Sequence, residues 1–249
     1  DFTSMIVHEL RTPLSGIQKA SELLKMPAKK PAAASKQYVD LIYQNSSSML
    51  DLVNDILDAA KLQAGKFEIN RESADIEDVI TNRIAFFNIS AADKKVRLVS
   101  SVGKNVPKDV PFDIQRIKQV LNNLISNALK FTPQGGAISI AAFVHNPGAQ
   151  VNKEISDAGI ALPGPLPEEK FATLPSSLIV TVTDTGMGIS AEHIAELFSK
   201  FKQISNTSVV PNIKGTGLGL AIARGIIEGH GGVISIVSKI DVGSTFYFA

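Results

Sequence analysis

The chain opens with two long stretches in which apolar residues return every three or four positions. Residues 2–26 and about 35–64 read as helices. Pro27 and Pro31 bracket the turn between them, and Gly65 ends the second. In that second helix the stripe is Val39, Ile42, Met49, Val53, Ile56 and Ala60. Two antiparallel helices with so narrow a stripe bury little alone. They are expected to complete their core against a second copy, as a four-helix bundle in a homodimer.

From Lys66 the pattern changes. Lys66–Asn70 reads as a short strand, about 75–92 as a helix, and Val96–Val102 as an alternating strand. Residues 113–131 form a strongly amphipathic helix. Ala137–Val144 and Leu178–Thr183 read as strands, and about 190–198 as a helix. A helix at 216–229 and strands at Val233–Ser238 and Ser244–Phe248 complete the pattern. Strands and helices mixed without strict βαβ alternation predict an α+β sandwich, a mixed sheet with helices on one face. Asn146–Ser177 carries five prolines and reads as a long insertion between two strands, functional or mobile. Ser199–Lys214 is irregular too. The expected domains are 1–65 and 66–249.

Composition narrows the function. Lys and Arg number 25 against 24 Asp and Glu, so no basic surface suited to coating nucleic acid is expected. Cys is absent, which excludes disulfides, thiolate zinc sites and Cys nucleophiles. No run approaches about 18 apolar residues, so no membrane span is predicted. The sequence begins with Asp1 inside a helix and reads as a piece of a longer protein, expected on the cytoplasmic side even if the whole is anchored.

The first chemical constellation is His8-Glu9-Leu10-Arg11-Thr12-Pro13-Leu14. On a helical wheel Ile6, Leu10, Leu14, Ile17 and Leu24 cluster within roughly 80°, and His8 falls about 180° from their centre. Thr12 follows one turn later on the same exposed face. A solitary exposed His is ordinarily just solvated. Pro13 changes that reading, because a proline inside a helix costs roughly 3 kcal/mol and leaves the Glu9 carbonyl without its intrahelical partner. A kink one turn after a His-Glu pair points to use. An imidazole in water is mostly neutral at pH 7, hence nucleophilic, and Glu9 could accept its other ring proton. This segment resembles the H box of the sensor histidine kinases of two-component signalling. The resemblance implies that His8 is phosphorylated, that Glu9 acts as general base, and that Thr12 orients water when the partner is dephosphorylated.

Three further segments suggest a nucleotide pocket without a P-loop. In the amphipathic helix, Asn123, Asn127 and Lys130 share a stripe about 60° wide, opposite Ile114, Leu121, Ile125 and Ala128. Amide oxygens suit Mg²⁺, and Lys130 suits phosphate. Asp184-Thr185-Gly186-Met187-Gly188-Ile189 follows an apolar strand; a buried carboxylate there could accept the exocyclic amine of adenine, with glycines admitting the base. Asp-Thr-Gly also opens aspartic-protease sites, which need two such motifs where one chain here has one. Lys214-Gly215-Thr216-Gly217-Leu218-Gly219-Leu220 runs into a helix, a glycine-rich anion site.

In this order the segments resemble the N, G1 and G2 boxes of the histidine-kinase ATP-binding domain, of the GHKL fold shared with type II topoisomerase and mismatch-repair ATPases. Leu197-Phe198-Ser199-Lys200-Phe201 resembles the F box, and Gly243-Ser244-Thr245-Phe246 the last motif, whose Thr245 lies near the adenine. The resemblance implies ATP and Mg²⁺ as cofactors. Asn127, with Asn123 close by, would hold the metal, Lys130 phosphate and Asp184 the adenine amine. Phe131 would pack on the base, and Ser199–Lys214 would be a lid over the triphosphate. This lid has no Arg, only Lys200, Lys202 and Lys214. His145, His193 and His230 read as structural, with His230 closing a helix, and no zinc site is expected.

The function implied is ATP-dependent phosphorylation of His8, then transfer to an aspartate on a response-regulator receiver domain. The ATP-binding domain would have to move toward the helices, with Pro13 and the junction near Gly65 as hinges. Three alternatives remain. They are an ATPase of the same fold gated by dimer closure, a phosphatase-biased sensor using Glu9 and Thr12, and a non-catalytic dimerising scaffold.

Overall fold

The computed structural model describes residues 2–26, 32–160, 164–172, 174–194, 197, 198 and 217–249. Two long helices come first, α1 (Phe2–Lys25) and α2 (Ala32–Gln63), packed as a hairpin. Pro13 lies inside α1. Gly65, at φ +65°, follows α2 in the left-handed conformation that ends helices. In the single chain the hairpin buries little: Ala20 and Leu52 are buried, while Leu14, Val39, Leu50, Val53 and Leu57 are exposed. Exposure of that size on one face suits a second hairpin.

The rest is a mixed sheet between helices. It contains α3 (Ile76–Asp93), β2 (Arg97–Val102), α4 (Ile114–Phe131) and β4 (Ala137–His145). After β5 (Ser177–Asp184) come the one-turn α7 (Ala191–Ile194), α8 (Gly219–Gly229), β6 (Ile234–Lys239) and β7 (Gly243–Phe248). Sheet order is β2-β4-β5-β7-β6, parallel only between β2 and β4. Alternation splits the strands by face. Ile138, Ile140, Val180, Val182, Ile236, Phe246 and Phe248 join α3, α4 and α8 in the main core. Ala141, Phe143, Ile179 and Tyr247 point the other way.

The mixed sheet with α3, α4 and α8 on one face is the expected sandwich, and the insertion adds a cover to the second face. The described residues of segment 146–177 are not an open loop. The insertion holds α5 (Val151–Asp157) and α6 (Glu168–Phe171), and Val151, Ile155, Leu166 and Phe171 cover Phe143, Ile179 and Tyr247. Polar contacts fasten it. Glu168 accepts from the backbone N–H groups of Val151 (2.8 Å) and Asn152 (3.1 Å), satisfying donors at the start of α5. The fully buried His145 ring sets Nδ1 2.6 Å from Glu154 Oε2 and Nε2 3.1 Å from the Phe171 carbonyl.

Lys66–Asn70 is the other correction. It forms no strand; the strand begins later, as β1 (Glu72–Ala74), paired antiparallel with β3 (Val110–Phe112). The alternation of Phe67 and Ile69 instead reflects packing of an irregular connection: Phe67 lies under the Arg116 guanidinium (4.3 Å), and Ile69 lies against Gly229. Of the helix expected near 190–198 the structure describes α7, and residues 195 and 196 lie outside the described ones.

Candidate active site

α1 presents the first group. His8 Nδ1 lies 3.3 Å from Glu9 Oε1, with the His8 side chain 59% exposed and that of Glu9 17%. Thr12, one turn on, donates its hydroxyl to the His8 carbonyl (3.3 Å). Because Pro13 has no N–H, the Glu9 carbonyl one turn back lacks an intrahelical donor. The helix is therefore loosened where the three predicted residues cluster.

α4 presents the second group. Asp113 caps it, its carboxylate accepting from the Arg116 N–H (3.0 Å). At the far end the Lys94 ammonium donates to the Leu129 and Lys130 carbonyls, matching cation to helix C-terminus. Ile117, Val120, Leu121, Leu124, Ile125 and Ala128 are buried, which turns Asn123, Asn127 and Lys130 toward α8 and the surface. Asn123 Nδ2 donates to the Gly219 carbonyl (3.0 Å) and ties α4 to the first turn of α8. The half-buried Asn127 carboxamide has no protein hydrogen bond among the described residues, so its oxygen is available as a hard ligand. Phe131 is 40% exposed, with the Lys130 ammonium 5.2 Å from its ring centre. Burial pulls Lys130 below the usual lysine range, opposed by the negative charge of Glu9. Glu9 of the first group thus acts electrostatically on Lys130 of the second, within one chain.

Asp184 ends β5, 5% exposed, its Oδ1 accepting from the Gly186 N–H (2.8 Å). Burial pushes its carboxyl up to about 6, against the hydrogen bonds from Gly186 and Ser244. The turn that follows has no room for side chains. A Cβ on Gly186 would sit 2.6 Å from Asp184 Oδ1 and 2.8 Å from the Phe131 carbonyl. Gly188, at φ +69°, would place one 2.0 Å from the Lys239 carbonyl. The structure thus brings Phe131 and Asp184 to one turn. Thr245, in β7, is fully buried, its hydroxyl 3.0 Å from that of Thr183. Gly217, Leu218 and Gly219 lead into α8, with Leu218 buried. Lys214, Gly215 and Thr216, and residues 199–201 of the F-box segment, lie outside the described residues. Phe198 stacks edge-on against Phe246 (6.4 Å).

Two features escaped the sequence reading. Asp58 of α2 accepts from Arg116 (2.9 Å) and Gln119 (2.8 Å) of α4, and Leu62 packs on Gly225 of α8. His230 does close α8, and its ring also accepts the Asp113 N–H at Nε2 (3.0 Å) while Nδ1 donates to the Ile226 carbonyl (2.8 Å). Spacing within one element gives no signal for either.

The fold and these groups match a known class. Residues 112–249 match the family described as histidine kinase-, DNA gyrase B-, and HSP90-like ATPase, and residues 1–65 match the His kinase A phospho-acceptor domain. The chain belongs to the histidine kinase family, with a phospho-acceptor hairpin and a GHKL-type ATPase domain. Among its relatives, it is 33% identical over 247 residues to hybrid signal transduction histidine kinase B of Dictyostelium discoideum. The match covers 99% of this chain and 11% of that protein. It is 31% identical over 249 residues to sensor histidine kinase GacS of Pseudomonas protegens, covering 100% of this chain and 24% of GacS. Full-length ShkA in complex with AMPPNP superposes with a TM-score of 0.66 at 25% identity, over 99% of this chain and 44% of that one. Acinetobacter baumannii histidine kinase AdeS shares the fold, with a TM-score of 0.64 at 23% identity, over 97% and 95% of the two chains. The chain thus spans well under half of the relatives named from sequence. Among the described residues no helix is long and apolar enough to cross a membrane.

Proposed function

We propose that the chain binds ATP, transfers its γ-phosphoryl group to His8, and passes that group to an aspartate of a response regulator. The observation that carries this reading is the pairing of an exposed, Glu9-bound imidazole with a glycine-lined acidic turn and an amide-lysine helix face in one chain. With Nδ1–H donating to Glu9, the Nε2 lone pair faces outward as nucleophile. Nε2 attacks the γ-phosphorus, the bond to the ADP oxygen breaks, and Glu9 takes the Nδ1 proton from the resulting imidazolium. Catalysis is then positioning and charge stabilisation.

Asp184 would accept the adenine amine and Phe131 would pack on the base. Lys130, with Lys214, Gly215, Thr216, Gly217, Leu218 and Gly219, would face the phosphates. Asn127, its amide oxygen unengaged among the described residues, would hold Mg²⁺ with Asn123 beside it. Bound there, the metal neutralises triphosphate charge. Thr245, buried beside Thr183, would line the base-binding floor. The hairpin would form the dimer, its exposed Leu14, Val39, Leu50 and Leu57 closing a four-helix core. The known complexes of relatives agree: ShkA was captured with AMPPNP, and another neighbour, ThkA, with response regulator protein TrrA.

The test is labelling with γ-labelled ATP and Mg²⁺. Label should be acid-labile, base-stable and absent from His8→Gln. An ATPase gated only by closure would keep its turnover in that variant.

A further inference from the structure

One turn of α2 touches both helices that carry the nucleotide site. Asp58 and Leu62 are four residues apart, so they share a face of α2. Asp58 is 8% exposed and its Oδ2 accepts from Arg116 Nη1 and Gln119 Nε2 of α4. Arg116 is itself held from several sides. Its Nη1 also donates to Gln119 Oε1 (2.9 Å), its N–H donates to Asp113, and its guanidinium lies over Phe67 of the connection. Leu62 reaches α8: a Cβ built on Gly225 would lie 2.6 Å from both Leu62 methyl carbons, so the leucine rests on bare helix backbone. Ala59, between the two, is buried in the main core of the ATP-binding domain.

The hairpin therefore grips α4 near its start and α8 in its middle. The far end of α4 carries Asn127 and Lys130, and the start of α8 follows the glycine motif. A rigid helix gripped at one end fixes the position of the other. In this docked arrangement the negative charge of Glu9 opposes the effect of burial on Lys130.

We propose that Asp58 and Leu62 are positioning residues for phosphoryl transfer, holding α4 and α8 so that the nucleotide site addresses the H-box helix. This rests on the kinase reading above. Neither side chain approaches the reacting atoms. A carboxylate-guanidinium pair with a buried carboxylate and a partly buried guanidinium contributes little net stability but defines one geometry, which suits a joint that must dock in register.

The experiment uses the whole chain and measures autophosphorylation rate, ATP affinity with a fluorescent nucleotide, and melting temperature. Asp58→Asn keeps the size and one acceptor but removes the charge that holds Arg116 Nη1. The rate should fall at least about tenfold, within the 10²-fold cost of misplaced reactants, at unchanged ATP affinity. Arg116→Lys, which keeps the charge but loses the flat guanidinium that lies over Phe67 while Nη1 reaches Asp58 and Gln119, should behave alike. A second arm avoids destabilisation. The chain has no Cys, and the contact at Gly225 places Leu62→Cys and Gly225→Cys within disulfide reach. The oxidised, locked double variant should phosphorylate at least as fast as its reduced form. Locking that abolishes labelling, reversibly on reduction, would show that the docked state is a resting one and overturn the proposal. So would Asp58→Asn at full rate, or a loss of ATP affinity parallel to the loss of rate. Absence of label from the unmodified chain would instead sink the kinase reading on which the proposal stands.

Discussion

Asp184 allows a quantitative prediction. Its carboxyl is raised to about 6 in the free protein, chiefly by burial at the end of β5. Adenine offers that carboxyl an N–H donor, which favours the ionised form. Binding and proton release are therefore linked. If only the carboxylate binds the base, affinity is flat above pH 7, halves near pH 6, and is about tenfold weaker at pH 5. The triphosphate titrates too, so the variant Asp184→Asn supplies the reference. It lacks the carboxylate, should bind weakly throughout, and should show only the ligand's own pH dependence. The assay is titration calorimetry or nucleotide fluorescence from pH 5 to 8 with both proteins. Equal pH slopes in the two would refute the assignment of Asp184 to the base. The unliganded protein should respond with the opposite sign. Between about pH 4 and 6 the folded state keeps a proton that the unfolded chain has released, so stability rises on acidification through that window. Asp55, raised to about 6 by burial and by Asp51 and Asp58, adds the same sign, so the Asp184 share is the difference between protein and variant.

Other expectations follow from single contacts. Gly188→Ala meets both a left-handed φ and the Lys239 carbonyl, so it should lose about 2–4 kcal/mol in denaturant unfolding and bind ATP poorly. Glu168 is opposed by desolvation, yet hydrogen bonds from Asn152 and Val151 and the charge of His145 hold it below the usual carboxylate range. Its contribution is present above the unfolded pKa and lost as pH falls through the folded one. Glu168→Gln should cost about 1 kcal/mol, as loss of a helix cap does, with faster hydrogen exchange confined to residues 146–172. Pro13→Ala should stabilise the hairpin by up to about 3 kcal/mol yet lower phosphotransfer more than ATP binding. Equal losses would count against a hinge at the kink.

Much of this site was legible because its signals are local. The Asn123, Asn127 and Lys130 stripe follows from helical period, and the structure keeps it by burying Leu121, Leu124 and Ile125 beneath. His8 opposite Ile6 and Leu10 follows the same way. Asp184 was recognisable because an apolar strand ends there in glycines. What failed were non-local choices. Phe67 and Ile69 alternate like strand residues but are held by Arg116 and Gly229, far along the chain. The pairing of β1 with β3 joins two three-residue runs that carry no period of their own. The insertion looked like a proline-rich loop because its apolar residues, Val151, Ile155, Leu166 and Phe171, are too few per turn to show a pattern until the sheet face offers them a partner. Asp58, read singly, is just another acid on a helix; only its fit to Arg116 and Gln119 gives it a place.

The central claim is that a water-facing imidazole in α1 receives phosphate from a nucleotide held by the second domain. Phosphopeptide mapping after incubation with γ-labelled ATP tests it most directly. One acid-labile label is expected on the peptide containing His8, lost in His8→Gln while ATP binding persists. Label on any other residue, or undiminished label in that variant, would contradict it.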